Sequence, residues 1–534
     1  MMSKLFRSSL ITSVATFMSR ILGLIRDVFI AGILGAGQSS DVLFFAQRIP
    51  NFLRRLFAEG AFSQAFVPVM AEFKAKKDKE GLNDLISHTS GTLGALVFLI
   101  TILGMLGSHV VTAIFGWGWF EEWLHDGPEG GKFVQASFLL KITTPYLFFI
   151  TLTAVSGAIL NTFEKFLIPA ITPCLMNLCM IASCICIAPY TEDPNFALSL
   201  GFLAGGVVQF AFQLPFLYRL GCLVKPKISW NHPGVAKIRK LMLPAIFSVS
   251  VSQINLIINT IIATNLATGA ISYLYYSDRL LEFPIGIFGV AIGTVILPAL
   301  SRQFAKKDND GYVKTMDWGI RLVLLLGFPA MMGIIMLREP IVRVLYMRGE
   351  FGLDAAGHVG LSVIASVSGL WAIMLVRVLA PGFNARQDTA TPVRYGIISM
   401  ITNICCSLII VFPLEKYLEI DGGLGYGYLG LALATTVSAV LNATLLLCGL
   451  ARKNIYHVSR STVLFIIKLL AGTAIMSVGL SFIREYFAEN IEAWASLGLL
   501  ASIVYLSVLI VAGALIYFVS LFALGIRPSH LRGV

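Results

Sequence analysis

The sequence predicts an all-α integral membrane protein with fourteen transmembrane helices. Of its 534 residues, 57% are hydrophobic and only 13% are charged, whereas soluble proteins carry about 25% charged residues. The mean hydropathy is +0.82. Long apolar segments recur along the whole chain, and a helix needs about 20 such residues to cross a bilayer. The alternating strands of about ten residues that build membrane β-barrels are missing from the sequence, so the spans are predicted to be helices.

The fourteen predicted spans share a continuous apolar core between short polar loops. They lie roughly at residues 8–35, 40–72, 88–117, 135–160, 168–190, 198–222, 236–264, 271–302, 316–337, 357–383, 391–414, 425–451, 461–483 and 494–524.

The loops between these segments alternate between basic and acidic or neutral. Because cytoplasmic loops are enriched in Lys and Arg, this alternation predicts an even number of spans, with both termini in the cytoplasm. The N-terminal apolar run has no small-residue cleavage site before Arg20, so we interpret it as a retained first span. The net charge of +11 therefore belongs to membrane topology and does not indicate nucleic-acid binding.

An internal repeat divides most of the chain into two similar halves. The stretch PVMAEFKAKKDKEG begins at Pro68, and PALSRQFAKKDNDG begins 230 residues later at Pro298. A second echo, NTFEKFLIP at Asn161 and NARQDTATP at Asn384, is 223 residues apart. Parallel repeats of this kind are typical of transporters.

The repeat predicts two six-helix lobes related by a pseudo-twofold axis along the membrane normal. We place the N-terminal lobe, with spans 1–6, at residues 1–225 and the C-terminal lobe, with spans 7–12, at residues 226–455. Residues 456–534 hold two additional spans, 13 and 14.

Charged residues interrupt the first two spans, where an Arg at the centre of a lone helix costs about 2.5–3.5 kcal/mol. Helical spacing places several of them on shared faces, since residues seven apart lie on the same side. Such charges are tolerated in a membrane span when they face water or oppositely charged side chains. The pattern therefore predicts a polar, cationic cavity inside the helical bundle. The candidate residues of the two spans are Arg20, Arg26, Asp27, Asp41, Arg48, Arg54, Arg55 and Glu59.

The repeat brings a second charged stretch into the prediction. YYSDRLLEFPIGIFG in span 8 supplies Asp278, Arg279 and Glu282, and substrates of transporters bind near the midplane at the repeat interface. Arg377 in span 10 either joins this cavity or snorkels to the membrane surface. The same alternative applies to Arg48.

Two pairs of oxygen-bearing side chains are candidates for a sodium site. Asn384 and Asp388 are four residues apart, as are Asn255 and Asn259 in span 7. Side-chain oxygens at this spacing can bind a hard cation. The alternative is that these residues cap loops and form polar contacts between helices.

No sequence feature indicates an enzyme. The chain has no P-loop and no H-E-x-x-H motif in a plausible context. No loop exceeds about 25 residues, which leaves little space for the machinery of a membrane glycosyltransferase. We therefore predict no catalytic residues and no cofactor. Any uphill transport would draw on the membrane potential, on a gradient of a monovalent cation or other ion, or on downstream consumption of the transported molecule.

The resemblance to a known family rests on five stretches and covers essentially the whole chain. They resemble the MurJ/MviN lipid II flippases, members of the multidrug/oligosaccharidyl-lipid/polysaccharide exporter superfamily: SRILGLIRD, GAGQSSDVLFFAQRIPNFLRRLFAEGAFSQAFVPV, SVSQINLIINT, YYSDRLLEFPIGIFGVAIGT and VLAPGFNARQDTATPV. The resemblance implies alternating access and transfer of lipid-linked peptidoglycan precursor across the inner membrane, for cell wall biogenesis and cell shape. Some relatives have an Asp in span 7 at a sodium site, where this chain has Asn255 and Asn259.

The resemblance also implies roles for individual residues. The essential cavity arginines of the family match Arg20, Arg26, Arg54 and Arg279, and its neighbouring acidic positions match Asp41 and Glu59. These arginines would bind the pyrophosphate of lipid II, an undecaprenyl-pyrophosphate-linked disaccharide-pentapeptide. Because spans 13 and 14 lie outside the repeat, we expect them to form a groove in which the polyprenyl tail stays in lipid. We expect a monomer whose partners are lipid II and membrane lipids.

Two other substrates of the same superfamily stay open. A flippase for another anionic polyprenyl-linked glycan would need the same basic cavity. A multidrug or ion antiporter is less compatible, because a cation exporter should have an acidic cavity and this one is basic.

Overall fold

The computed structural model describes residues 2–56, 62–75, 78–417, 425–487 and 491–527. Across these residues the regular structure is helical and contains no strand, which confirms the predicted all-α class. The chain divides into two compact units, Met1–Ile271 and Ser272–Val534.

The first unit contains eleven α-helices among its described residues. They are α1 Met2–Leu34, α2 Gln38–Leu53, α3 Ser63–Ala75, α4 Lys79–Leu106, α5 Ser108–Phe115, α6 Trp117–Leu124, α7 Gly130–Thr143, α8 Tyr146–Thr162, α9 Leu167–Cys186, α10 Pro194–Arg219 and α11 Pro233–Ala263.

The next helix begins at the division, and the rest follow in the second unit. They are α12 Ala270–Pro284, α13 Val290–Ala305, α14 Asn309–Met336, α15 Arg338–Leu345, α16 Leu353–Val367, α17 Leu370–Asn384, α18 Ala390–Tyr417, α19 Gly427–Arg452, α20 Arg460–Phe487, α21 Ile491–Ser496 and α22 Leu499–Ala523.

The long apolar helices confirm a multi-pass membrane protein. Eleven helical segments of the described chain are long and apolar enough to cross a membrane, and they coincide with eleven of the predicted spans. The three remaining predicted spans, at residues 8–35, 40–72 and 236–264, also contain helices, namely α1, α2 with α3, and α11. The count of fourteen spans stays a prediction.

Two of the predicted spans contain a break between helices that the sequence did not predict. The segment predicted at 88–117 is two helices, because α4 ends at Leu106 and α5 begins at Ser108, after Gly107. The segment predicted at 135–160 is interrupted before Pro145, since proline lacks the N–H that continues a helix. Hydropathy detects the apolar run but not these local breaks.

The two copies of the sequence repeat build the same local structures. Asp78 caps α4 by accepting a hydrogen bond from the backbone N–H of Gly81 at 2.8 Å, and Asp308 caps α14 through Gly311 at 2.9 Å. In the second echo, Glu164 and Gln387 adopt left-handed backbone conformations with φ of 61° and 63°. Both copies therefore use the same helix start and the same helix-ending turn.

Helix packing inside each unit positions the charged residues. In the first unit, α9 packs against both α1 and α10, while α2 packs against α7. In the second unit, α18 packs against α19, and α20 packs against α14 and α22. The pairing of α1 with α9 matters most for the site, because it encloses the charged end of α1.

Candidate functional site

A buried cluster joins α1 to α9 around Arg26. The Arg26 guanidinium donates through Nε and Nη2 to Asp27 Oδ1, at 3.0 and 2.7 Å, and through Nη1 to Asn177 Oδ1 at 3.1 Å. The Asn177 amide in turn donates to the backbone oxygen of Ser19 at 3.0 Å. Arg26 is 8% exposed and Asp27 is 0% exposed, so the two charges neutralise each other inside the unit.

Asn177 is a functional residue that sequence reasoning missed. It lies in the middle of α9, where its amide fixes both Arg26 and the backbone of α1. A single Asn in a membrane helix is a weak signal, because polar residues often serve as contacts between helices. Arg20, which precedes this contact on α1, is half-buried.

The arginine on α2 and the two arginines that follow this helix lie in different surroundings. Arg48 donates to Thr260 Oγ1 on α11 at 3.1 Å, a contact that joins α2 to α11. Arg54 donates to Asn51 Oδ1 at 3.3 Å, and Arg55 is exposed. The space beside Arg48, enclosed with Phe52 and other side chains of α2, α5 and α11, measures about 10 Å³, which holds about one water molecule.

The seven-residue spacing along α2 does not continue to its last predicted member. The α-helix ends at Leu53, and residues 54–56 form a wider π-helical turn. A π turn contains more residues per turn, so the regular seven-residue spacing is not continued beyond Leu53, and Arg55 is exposed whereas Asp41 is buried. Glu59, predicted on the same helix face as Asp41, lies outside the described residues.

Asp41 fixes the backbone ahead of α12. Its carboxylate Oδ2 accepts a hydrogen bond from the Gly269 N–H at 2.7 Å, and Asp41 is 2% exposed. Gly269 has φ of 95°, a left-handed conformation that favours glycine. The carboxylate therefore holds a sharp turn in place, a role that spacing did not predict.

A buried lysine beside this turn was also missed. Lys132 on α7 is 1% exposed, forms an ion pair with Glu129 and donates to Thr268 Oγ1 at 2.8 Å. Thr268 donates in turn to Glu129 Oε1 at 2.6 Å. The available signal was the Glu129–Lys132 spacing of three residues, which places oppositely charged side chains together on a helix.

In the second unit, Arg279 is bonded along its own helix. Its guanidinium donates to Glu282 Oε2 at 3.0 Å and to Tyr275 Oη at 2.9 Å, with Cζ 4.9 Å from the centre of the Tyr275 ring. The Arg279 side chain is 32% exposed, and Asp278 and Glu282 are exposed. A stacked guanidinium with solvent access retains capacity for an anion.

Arg377 on α17 lies beside an irregular turn that follows α12. Residues Ile285–Gly289 form a π-helical turn after α12, and a Cβ on Gly289 would lie 3.7 Å from Arg377 Cγ. The glycine thus leaves space for the aliphatic part of Arg377, whose side chain is exposed.

The sodium candidates differ in how their oxygens are used. Asp388 accepts from Lys453 Nζ at 2.5 Å and from Thr391 Oγ1 at 2.8 Å. The Lys453 hydrogen bond lowers the pKa of Asp388 below its usual value, while Asn384 is exposed. Asn255 and Asn259 have buried side-chain oxygens without a hydrogen-bond partner among the described residues.

Comparison with known proteins identifies the family. The sequence model of the family described as lipid II flippase MurJ matches residues 30–505. The chain belongs to the MurJ family. It is 51% identical over 529 residues to the probable lipid II flippase MurJ of Vibrio cholerae, covering 99% of this chain and 98% of the relative. It is 36% identical over 534 residues to the lipid II flippase MurJ of Burkholderia cenocepacia, covering 99% of each chain.

Solved structures agree with the MurJ assignment. One described as lipid II flippase MurJ in an inward closed conformation has a TM-score of 0.77 and 27% identity, covering 96% of this chain and 98% of that chain. An inward-facing multidrug resistance transporter of the MATE family has a TM-score of 0.64 at 15% identity, covering 84% and 98%, and it supports the fold alone. The MurJ family consists of transporters, so this chain is a transporter and not an enzyme.

Proposed function

We propose that this MurJ-family protein moves lipid II from the cytoplasmic to the periplasmic leaflet of the bacterial inner membrane. The observation that carries the proposal is the family match over residues 30–505, together with relatives named as lipid II flippases along nearly their whole length. Five sequence stretches predicted membership of this family, and the family match confirms it.

The pyrophosphate of lipid II is the group that the arginines would recognise. Arg20, Arg26, Arg54 and Arg279 are the proposed ligands, since guanidinium binds phosphate oxygens through paired, charge-assisted hydrogen bonds. One contact and one exposed side chain support this. Arg26 Nη1 donates to the neutral Asn177 oxygen at 3.1 Å, a bond that a phosphate oxygen would replace with a stronger one. Arg279 remains 32% exposed.

The number of spans, their division into lobes and the position of the termini are part of the same proposal. Fourteen spans would form two six-helix lobes, residues 1–225 and 226–455, with both termini in the cytoplasm and with spans 13 and 14 in residues 456–534. The helix pair α20 and α22, which packs together, would offer the polyprenyl tail a path in lipid. The protein would act as a monomer.

Transport would proceed by alternating access driven by the membrane potential or a monovalent cation. Moving one charge across 100 mV supplies about 2.3 kcal/mol, which could reset an empty cationic site. The unpartnered oxygens of Asn255 and Asn259 are compatible with a cation ligand on α11. Asp388 already binds Lys453, so Na⁺ there would have to displace an ammonium group.

The decisive experiment replaces the resident lipid II flippase of a bacterium with this protein and measures lipid II exposed on the periplasmic side. Wild-type protein should restore exposure and prevent lysis. Arg279→Gln should abolish exposure at an unchanged protein level. The matched control is Arg219→Gln, which removes one exposed cation at the end of α10 and should retain full activity.

The outcome also distinguishes the alternatives. Rescue of an O-antigen flippase deficiency, without rescue of lipid II exposure, would assign another anionic polyprenyl-linked glycan as substrate. Full lipid II exposure by both Arg26→Ala and Arg279→Ala would refute pyrophosphate recognition by these arginines while leaving the transport assignment intact.

A further inference from the structure

The segment between α10 and α11 lies as an extended strap across α4. We define the strap as residues 222–229, which contain no helix. Ser87 Oγ donates to the Lys225 carbonyl at 2.5 Å, and the Lys227 N–H donates to the Ser87 carbonyl at 3.0 Å. Further along, the Ser229 N–H donates to Thr92 Oγ1 at 2.9 Å.

A glycine permits this close approach. A Cβ on Gly91 would lie 2.3 Å from the Lys227 carbonyl oxygen and 2.6 Å from its carbonyl carbon, far inside van der Waals contact. Real Cβ atoms do not approach backbone this closely, so the strap requires glycine at this position of α4. The strap is therefore a built feature of the first unit rather than a loosely placed loop.

An apolar pocket lies between the strap and the membrane helices α4, α8 and α10. Its volume is about 430 Å³, within the usual range for ligand pockets, about 300–1,000 Å³. Its side chains are almost entirely apolar, and the lining includes Ala95, Phe98, Leu152, Ser156, Leu214 and Ile228. Because α4, α8 and α10 each belong to a candidate membrane span, an apolar chain from the bilayer is the natural occupant.

The strap adds positive charge to the edge of this pocket. Val224, Pro226 and Ile228 line the pocket, and the residues between them, Lys225 and Lys227, are exposed. This alternation places apolar groups on one side of the strap and ammonium groups on its accessible side. The strap belongs to the loop between predicted spans 6 and 7, which is rich in Lys and Arg and is therefore predicted to face the cytoplasm, where anionic lipids attract lysine.

We propose that the pocket binds one acyl chain of an anionic glycerophospholipid from the cytoplasmic leaflet, with Lys225 and Lys227 holding its phosphate. A 430 Å³ pocket suits a single acyl chain better than a polyprenyl chain several times longer. The site involves none of the arginines assigned to the pyrophosphate and is independent of the proposed function. Occupancy would also fix the strap, which leads directly into α11.

The test counts lipids on purified full-length protein by native mass spectrometry. Dioleoyl phosphatidylglycerol is titrated against wild type, Ala95→Trp and the double variant Lys225→Gln/Lys227→Gln. Ala95→Trp fills the pocket, and Ser156→Phe fills it from α8 if the first variant misfolds. Ala182→Trp, on the exposed surface of α9, is the matched control for an added indole. Arg239→Gln/Lys240→Gln is the matched control for lost charge.

Wild type and both controls should retain one phosphatidylglycerol that the pocket-filling variants lose. The lysine double variant should bind it about 30-fold more weakly, given the attraction of two basic residues for anionic lipid. Dioleoyl phosphatidylcholine should bind this site weakly in every variant.

Equal phosphatidylglycerol binding by wild type and both correctly folded pocket-filling variants would overturn the proposal. Selective loss of undecaprenyl phosphate from those variants, with phosphatidylglycerol unchanged, would also overturn it and assign the pocket to a polyprenyl chain.

Discussion

Arg26 in the first unit and Arg279 in the second lie in opposite surroundings, although both are cations in apolar helices. Arg26 is 8% exposed and is bound by Asp27 and by Asn177 from a second helix. The Arg279 side chain is 32% exposed and is bonded to Tyr275 and Glu282 of its own helix.

This contrast separates two contributions that sequence spacing merges. A buried, paired arginine stabilises the fold, because removing either partner leaves an uncompensated charge in a low-dielectric interior. A half-exposed arginine stacked on an aromatic ring contributes little to stability and remains accessible to an anion. The variants below are ordered from the largest expected effect to the smallest.

Asp27→Ala should have the largest effect on stability. It leaves the buried Arg26 guanidinium without its carboxylate, which should lower the free energy of unfolding by about 3–5 kcal/mol. Thermal unfolding of the detergent-solubilised protein measures the loss. The double variant Arg26→Met/Asp27→Leu removes both charges and should recover most of it. Equal melting temperatures for Asp27→Ala and wild type would show that the pair is not buried as described.

Arg279→Gln should reduce lipid II binding without reducing stability. A hydrogen bond to a charged group contributes about 1.5–3 kcal/mol, so binding should weaken about 10- to 100-fold. Lipid II titration and thermal unfolding are measured on the same preparation. Arg279→Lys keeps the charge, so its affinity for lipid II should lie between those of wild type and Arg279→Gln. A lowered melting temperature with unchanged binding would reverse the assigned role.

Asn177→Leu should affect stability moderately. The variant removes the acceptor of Arg26 Nη1 and the donor to the Ser19 carbonyl, which should cost about 1–3 kcal/mol. Thermal unfolding again reports the change, with Leu178→Ala on the exposed side of α9 as control. If the Asn177 amide exchanges with a phosphate oxygen, added lipid II should protect wild type more than Asn177→Leu.

Asp388→Asn should have the smallest effect, confined to the loss of one ion pair. The Lys453 ammonium lowers the pKa of Asp388 below its usual value, so the folded state favours the carboxylate. The resulting stabilisation is present above the ordinary carboxyl pKa of about 4 and is lost as the pH falls through the lower folded pKa. It should amount to at most about 1 kcal/mol, because the pair is partly exposed.

The measurement is the melting temperature of wild type and Asp388→Asn at pH 7 and in the acidic range. The difference between them should be visible at pH 7 and disappear on acidification. A difference that grows as the pH falls would contradict the assigned ion pair. Lys453→Gln should reproduce the Asp388→Asn profile.

Most of the helical fold was predictable, because hydropathy and the repeated motifs each determine the structure of a short stretch of chain. Asp78 and Asp308 cap equivalent helices, as their shared K-K-D sequence indicates. The helix breaks at Gly107 and Pro145 were missed because they do not interrupt the apolar run. The π turn after Leu53 was missed because the spacing argument assumes a regular helix of 3.6 residues per turn.

The sequence predicted which residues belong to the candidate site, but it did not predict which residues they contact. Charge inside an apolar span singled out Arg26, helical spacing singled out Asp41, and the internal repeat singled out Arg279. The sequence did not show that Asn177 holds Arg26, that Gly269 binds Asp41 or that Tyr275 stacks on Arg279. The first two contacts join residues distant in the chain, and the third depends on side-chain conformation.

The sequence by itself determined that this protein crosses the membrane many times, that it is helical and that it belongs to the MurJ family. These properties follow from composition, periodicity and motifs, each of which acts over a short stretch of chain. Only the tertiary structure decided which charges are neutralised and which stay accessible. Burial and pairing depend on which helices pack together, and α9 meets α1 from about 150 residues away in the chain.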